Sequence, residues 1–229
     1  MVAAGPETRN RANSVWPFAL VGCWGLAALG LSLSGYFERF DAATLMIAGL
    51  VPSPVYFITL LCSRRFRSLV SSLDVHKVTV MQAGRIIGGT AFALAGWMHW
   101  MSLPFAAFTA VSDIVVGFSS FSVARQLWPK HPLAFAVWHI AGASCLLGAG
   151  ILGSLTSPEL RVIGGPLTSQ AVSLFPYSLV PIFLGPMMYM CHWIPLTQYF
   201  TSRVRADAHV IDWRPRIESP RHAASHQST

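Results

Sequence analysis

An aspartate and an arginine stand in this sequence where hydrocarbon is expected. Asp113 lies nine residues into an apolar run that opens at Pro104, and Arg85 lies about two helical turns into the run that opens at Val78. An ionisable group near the centre of a bilayer costs several kcal/mol and persists mainly where it is paired or functional. Opposite charges on neighbouring helices can neutralise each other, hold a charged or polar solute, or balance a proton. The side chain of Asp113 is too short to reach the headgroups, whereas Arg85 can snorkel toward them if its helix starts late. Asp113 is therefore the first candidate for function. The pair is open to two readings, a bridge between two spans or a binding site.

The neighbouring residues give that pair a setting. Gln82, Arg85 and Gly89 recur at helical spacing, and Thr109, Asp113, Gly117 and Ser120 form a polar stripe on the following run. Stripes of this kind face protein or water, not lipid. Gly84 and Gly88 are four residues apart, which lets another backbone come close. The runs are joined by a few residues around Met101 to Leu103, so they must be antiparallel neighbours. At about 1.5 Å of rise per residue, the Arg85 and Asp113 α-carbons fall within about 5 to 8 Å of one level, a gap that arginine can cross.

Histidine and proline supply two further signals. His139 and His192 lie at similar depths in two later runs, and neutral imidazoles on facing helices can hold a b-type haem or another tetrapyrrole. Met188, Met190 and Trp193 would then line the pocket. The simpler alternative is a pair of neutral buried rings bonded to nearby groups, with no cofactor. His99 lies toward the other face, and His76 and His131 fall in loops. Pro52 and Pro54 interrupt one run, and Pro176, Pro181, Pro186 and Pro195 another. Each interior proline removes a backbone bond, so the carbonyls of Tyr177, Ile182 and Cys191 need other partners, and such broken helices can line a cavity. Leu50-Val51-Pro52 resembles Leu179-Val180-Pro181, without a matching similarity upstream that would make a repeat.

These residues require helices that span a membrane. The 229 residues are 53% hydrophobic and only 11% charged, against roughly a quarter charged in soluble domains. The apolar residues form six runs of spanning length: 15–36, 43–62, 78–97, 104–121, 133–154 and 175–200. Continuous runs rich in Leu, Ala, Gly and Phe predict an all-α bundle of about six transmembrane helices, since barrel strands alternate over about ten residues. Residues 1–14 form a short N-terminal segment, 15–201 the transmembrane domain and 202–229 a polar tail without structure, from which Trp213 can reach the interface. The first run is too long for a cleaved signal peptide and reads as a retained anchor. The stretch Thr156 to Ser173, with two adjacent glycines and two prolines, reads as an irregular external loop.

Lysine and arginine set the expected orientation. On a six-span path, Arg9, Arg11, Arg64, Arg65, Arg67, Lys77, Arg125, Lys130, Arg203, Arg205, Arg214, Arg216 and Arg221 share one side, and only Arg39 and Arg161 take the other. The first side is cytoplasmic by the positive-inside rule, which places both termini in the cytoplasm of a multi-pass cell-membrane protein, the inner membrane if the source is bacterial. The net charge of +7 is thereby explained by attraction to lipid headgroups, with no basic stripe for nucleic acid. Cys23, Cys62, Cys145 and Cys191 sit in four separate runs and read as small core residues, with no disulfide and no metal site. Phosphate-binding loops, nucleophile elbows and zinc-protease motifs are missing, and no run contains a lysine for a retinal-type Schiff base.

Three segments carry a resemblance: Met81-Gln82-Ala83-Gly84-Arg85-Ile86-Ile87-Gly88, Leu103-Pro104 leading to Ser112-Asp113-Ile114-Val115-Val116-Gly117, and Leu179-Val180-Pro181-Ile182-Phe183 before His192. The chain resembles a group of small uncharacterised bacterial multi-pass membrane proteins. The resemblance implies an Arg in one span, an Asp in the next and a His late in the last, here Arg85, Asp113 and His192, and it implies no activity. His139 stands where the group has an amide side chain.

Three functions are compatible with these residues. One is non-enzymatic binding or transport of a small solute, ion or lipid through a polar seam at Arg85 and Asp113, supported by Gln82, Thr109 and Ser120. Another is an accessory or assembly subunit that packs Gly142, Ser144 and Gly148 against a further membrane protein. The third is a redox protein or enzyme built on His139 and His192. A lone intramembrane carboxylate is thin support for acid–base catalysis, so an enzyme is the least favoured.

Overall fold

The computed structural model describes residues 16–212, with side chains from Ala19 to Arg203. The N-terminal segment 1–14 with Arg9 and Arg11, and the tail with Trp213, Arg214, Arg216 and Arg221, lie outside the described residues. All regular structure among those described is helical. In order come α1 (Trp16–Leu33), a 3-10 turn (Tyr36–Arg39), α2 (Ala42–Leu50), α3 (Pro52–Cys62), α4 (Arg64–Ser72), α5 (Val75–Val80), a 3-10 turn (Met81–Gly84), α6 (Arg85–Trp97), α7 (Leu103–Gln126) and α8 (Pro132–Leu155). A 3-10 turn (Gln170–Ser173), a π-helical turn (Val180–Leu184) and α9 (Gly185–Asp212) complete the chain.

Four helical stretches are long and apolar enough to cross a membrane: Ala42–Cys62, Val75–Trp97, Leu103–Gln126 and Pro132–Leu155. Their outward residues are apolar where lipid would lie, among them Ile58, Ile87, Val111, Phe118 and Val137.

The interruptions have local causes. Pro52 and Pro54 cannot donate to the carbonyls of Ala48 and Leu50, so the ladder breaks between α2 and α3, and Val51 N–H tightens onto Ala48 O at 3.1 Å. Pro181 and Pro186 do the same before α9, producing the π-turn; the carbonyl of Tyr177 is recovered by Val180 N–H at 2.9 Å. Asp41 caps α2, its carboxylate accepting from Thr44 N–H at 2.6 Å and Thr44 Oγ1 at 2.7 Å. These bonds hold the Asp41 carboxyl below the usual aspartate range.

The chain differs from the expected boundaries after Cys62, at the end of the fourth run, where α7 continues to Gln126 and not Phe121, and at both ends of the last run. The basic segment after Cys62 is not a plain connection but the surface helix α4, capped by Ser63. Arg67 Nη1 from this helix donates to the carbonyls of Leu60 and Leu61 at 2.8 and 2.6 Å, closing the open end of α3. The last run begins its helix at Val180, not Phe175, because Pro176 and Pro181 keep the preceding residues in turns. That helix continues to Asp212 instead of ending at Phe200, since Ser202 to Asp212 holds no Gly or Pro. Of the four cysteines only Cys191 is buried, while Cys23 and Cys62 are exposed on the apolar surface and do not serve as core residues.

Connectivity sorts the helix ends into two sets. One contains Arg39 and Arg161 and is closed by the stretch after α8, where Ser102 N–H donates to Thr168 O at 3.0 Å and Gln170 bridges Phe40 O and Ala42 N–H at 3.2 Å each. The other carries Arg64, Arg65, Arg67, Lys77, Arg125, Lys130 and Arg203, and Gln198 Nε2 ties α9 to Val70 O and Leu73 O there. At the centre, α6 and α7 pack almost backbone to backbone. A Cβ on Gly89 would lie 2.9 Å from Ala110 O, and one on Gly117 2.6 Å from Ile86 Cγ1, so glycine at both positions sets the separation.

Candidate functional site: a buried charge pair and a histidine column

The close approach of α6 and α7 brings Arg85 against Asp113. Arg85 is 3% exposed and Asp113 7%. Arg85 Nε donates to Asp113 Oδ1 at 2.8 Å. Nη2 lies 2.6 Å from the same oxygen but off line, so Nε carries the hydrogen bond and Nη2 adds a charge contact. The third nitrogen turns away: Nη1 donates to Gly142 O on α8 and meets His192 Nε2 on α9, both at 3.2 Å. One guanidinium thus ties four helices together, with two nitrogens on the carboxylate and one shared between a carbonyl and an imidazole.

Hydrogen-bond polarity fixes the rest of the column. Guanidinium only donates, so His192 Nε2 must accept. A neutral His192 then carries its proton on Nδ1, which donates to His139 Nδ1 at 3.0 Å. His139 accordingly carries its proton on Nε2 and donates to Thr79 Oγ1 at 3.3 Å, and Thr79 donates to Val75 O at 2.8 Å. The result is a chain whose donor sense diverges at Arg85, one way to Asp113 and the other through His192, His139 and Thr79 to the first turn of α5, with both rings neutral. Along α5 and α6 it covers about 15 Å, half of the hydrocarbon core. Both rings are fully buried, flanked by Phe135 and Trp138, whose Nε1 donates to Ser119 Oγ at 3.0 Å.

Each residue singled out in the sequence now has a place. Gln82 is buried; its Nε2 donates to Met188 O at 2.9 Å, while its Oε1 has no partner. Ser120 is buried but only donates to Gly117 O, apart from the column. Thr109 is buried with Oγ1 unpartnered. His99 lies in the turn after α6 at a φ of 55°, away from the site, and Trp193 meets Phe57 edge to face. Gly142 does not offer a face to another subunit: it is buried against His192, and any Cβ there would overlap the imidazole. Gly148 is half-buried beside the ring of Phe108, and Ser144 is exposed.

Thr79 and Gly142 are the members of the column not anticipated as such. Thr79 continues the stripe of Gln82 and Arg85 three residues upstream, and Gly142 stands three residues after His139, so helical spacing contained both.

The rings do not fit a tetrapyrrole held between them. Two axial imidazoles must bind from opposite faces of a macrocycle, whereas His139 and His192 are hydrogen-bonded to each other and sealed by Gly142, Phe135 and Trp138. No group of three or more metal-ligating side chains occurs among the described residues.

A cavity of about 70 Å³ lies on the other side of Asp113. Both proline breaks meet there: Gly49 at the end of α2 packs directly on the carbonyl of Pro181, and both line the space with Leu50 and Val180. The remaining wall is mostly apolar, from Phe92, Phe105 and Leu146, apart from Thr109, Asp113 and Tyr189. A small apolar chamber with a carboxylate in its wall therefore abuts a polar column that leads to the basic end.

A family model described as Domain of unknown function (DUF8737) matches residues 42–199, more than half of the chain and all the residues of the column and cavity. No curated protein and no solved structure matches the sequence. On this match the chain belongs to the DUF8737 family of domains of unknown function.

Proposed function

We propose that this protein is a multi-pass membrane protein of six spans that binds, and by extension transports, a small solute, ion or lipid at the Arg85–Asp113 seam, without covalent chemistry. In this reading α1 and α9 join the four apolar stretches as spans. The basic ends of α3, α5, α7, α8 and α9 face the cytoplasm with both termini, and the cavity lies in the external half. The observation that carries the reading is the junction at Asp113, where a buried charge pair separates a chamber from a column. A purely structural bridge needs neither a chamber beside the carboxylate nor a chain of neutral imidazoles behind the guanidinium.

The test uses the full chain in lipid nanodiscs and a panel of small carboxylates, amines, alcohols and lipids, read as shifts in thermal midpoint. A solute should raise the midpoint of the native protein and have no effect on the Arg85→Gln/Asp113→Asn double variant, in which the charges leave together. If no member of the panel shifts the native protein, the pair is only a bridge. Reagent accessibility of single cysteines placed near each terminus tests the orientation; labelling of either terminus from outside would reject it.

A further inference from the structure

Asp113 and Thr109 both line the cavity, and each has a side-chain oxygen without a hydrogen-bond partner among the described residues. Both Arg85 contacts fall on Asp113 Oδ1, and Oδ2 accepts no hydrogen bond from any described residue. Across the seam it faces Gly88, where an added Cβ would lie 3.5 Å away. Thr109 stands one turn earlier on the same helix, 3% exposed, with no partner for Oγ1. Helical threonines can donate to the carbonyl four residues back, as half-buried Thr59, buried Thr79 and exposed Thr90 do here. Thr109 does not.

Charge decides what can meet these groups. Asp113 and Arg85 cancel, and the bond directions make both histidines neutral, so the cluster carries no net charge. A cation entering beside Oδ2 would bring an uncompensated charge into a low-dielectric interior, and an anion would meet a carboxylate. The complement is a neutral group with one proton to donate to Oδ2 and a lone pair to accept from Thr109, which is a hydroxyl. The chamber exceeds the roughly 10–15 Å³ that one water needs, yet most of its wall is apolar and suits hydrocarbon. Met46, Gly49, Leu146 and Gly150 on that wall are only half-buried, so the chamber opens sideways to the bilayer.

We infer that the cavity binds a neutral alcohol, its hydroxyl between Asp113 Oδ2 and Thr109 and its hydrocarbon leaving between Gly49 and Gly150. This names the ligand class for the seam and rests on the reading of the seam as a binding site. The hydroxyl can come from a free short alcohol or from the headgroup of a neutral lipid.

The experiment is photolabelling of the full chain in nanodiscs with a diazirine-bearing octanol, mapped to peptides by mass spectrometry. Saturable labelling of the segments 46–50, 146–150 and 180–189 is expected. It should be displaced by 1-octanol and at least tenfold less well by octylammonium or octanoate, which share the tail but not the head. Thr109→Val should lower labelling about tenfold. Gly150→Leu should abolish it, since nothing lies within 4 Å of a Cβ there and the new side chain has room to fill the opening. Gly88→Ser, which offers Oδ2 a hydroxyl from within the chain, should compete with the ligand and lower labelling too. Displacement by dioleoylglycerol in preference to 1-propanol identifies a lipid source, and the reverse a free alcohol.

Better displacement by octylammonium or octanoate overturns the neutral hydroxyl but leaves the seam a binding site. Labelling that is not saturable, or that is unchanged in Thr109→Val and Gly150→Leu, overturns the site itself. That result together with a silent solute panel would remove the broader reading as well.

Discussion

Removing one charge from the Arg85–Asp113 pair should cost far more than removing both. In Asp113→Asn the guanidinium stays buried with its contacts to Gly142 O and His192 but without a counter-charge, and breaking a buried pair in this way costs about 3–5 kcal/mol. Arg85→Gln leaves the carboxylate unpaired and also removes the donor to His192 and Gly142 O. Each lost bond adds roughly 1–3 kcal/mol through the acceptor left unsatisfied, so this variant should be the less stable of the two. The double variant holds two neutral amides and no buried charge, and its cost should fall short of the sum by about 3 kcal/mol or more. Reversible unfolding in mixed micelles, followed by tryptophan fluorescence, measures all four corners of the cycle. Additive costs, or an Asp113→Asn cost below about 1 kcal/mol, would show that Arg85 does not depend on Asp113 for its charge balance and would refute the assignment.

Three further outcomes follow from the geometry. Gly142→Ala forces a methyl into the His192 ring and should destabilise by about 1–3 kcal/mol while shifting both imidazole signals, whereas Gly150→Ala, which meets open space, should be neutral or stabilising. Nitrogen NMR of labelled histidine should find both buried rings neutral at pH 7, His192 protonated on Nδ1 and His139 on Nε2; the opposite tautomers would reverse the direction of the column. Asp41 caps α2 only as a carboxylate, and its folded pKa lies below the ordinary value of 3.8. Its contribution is therefore present above about pH 4 and lost as the pH falls through the lower folded value. Asp41→Ala should cost about 1 kcal/mol at neutral pH and remove the loss of Thr44 amide protection on acidification, as read by hydrogen exchange.

How far the sequence revealed the molecule depends on the range of the interaction involved. Apolar runs of spanning length depend on hydropathy alone, and the four central stretches follow from it directly. The polar stripes through Arg85 and Asp113 depend on helical spacing and a short connection, which place two faces together without knowledge of the rest. Events between distant segments were not legible. Nothing local announces that Gly142 lies on His192, or that the break at Pro52 meets the break at Pro181. Both are contacts across more than forty residues, and the small-residue spacing of Gly142, Ser144 and Gly148 suggested an outer interface equally well. Amphipathic α4 was hidden because its arginines read as a topology signal, although the same residues close the end of α3. The continuation of α9 past Phe200 was missed because hydropathy ends there while helix propensity does not.

The position of Arg85 within the column limits what the column can do. A chain of hydrogen bonds relays protons only if each member can both accept and donate, and a guanidinium has no lone pair to accept with and stays protonated. The neutral imidazoles of His192 and His139 can exchange roles with each other, but no proton passes from Asp113 to His192 while Arg85 stands between them. As it stands, the column holds and insulates the carboxylate rather than conducting through it. Passage from the chamber toward the basic end would require Arg85 to withdraw. The backbone around it is suited to such a movement: the residues immediately before it, Met81–Gly84, are a 3-10 turn inside an otherwise α-helical span, and such mid-helix turns often mark hinges. Gly84 and Gly88 bracket Arg85 without side chains to resist rotation; a Cβ at Gly84 would meet only the end of Met188, and one at Gly88 only Asp113 Oδ2. For the protein to transport, that turn would have to tighten or relax by one hydrogen-bond register so that Arg85 leaves the carboxylate and the chamber meets the histidines. A binding protein needs only the closed arrangement, whereas a transporter needs both. Replacing Gly84 with alanine should therefore spare ligand binding and suppress flux if the protein is a transporter.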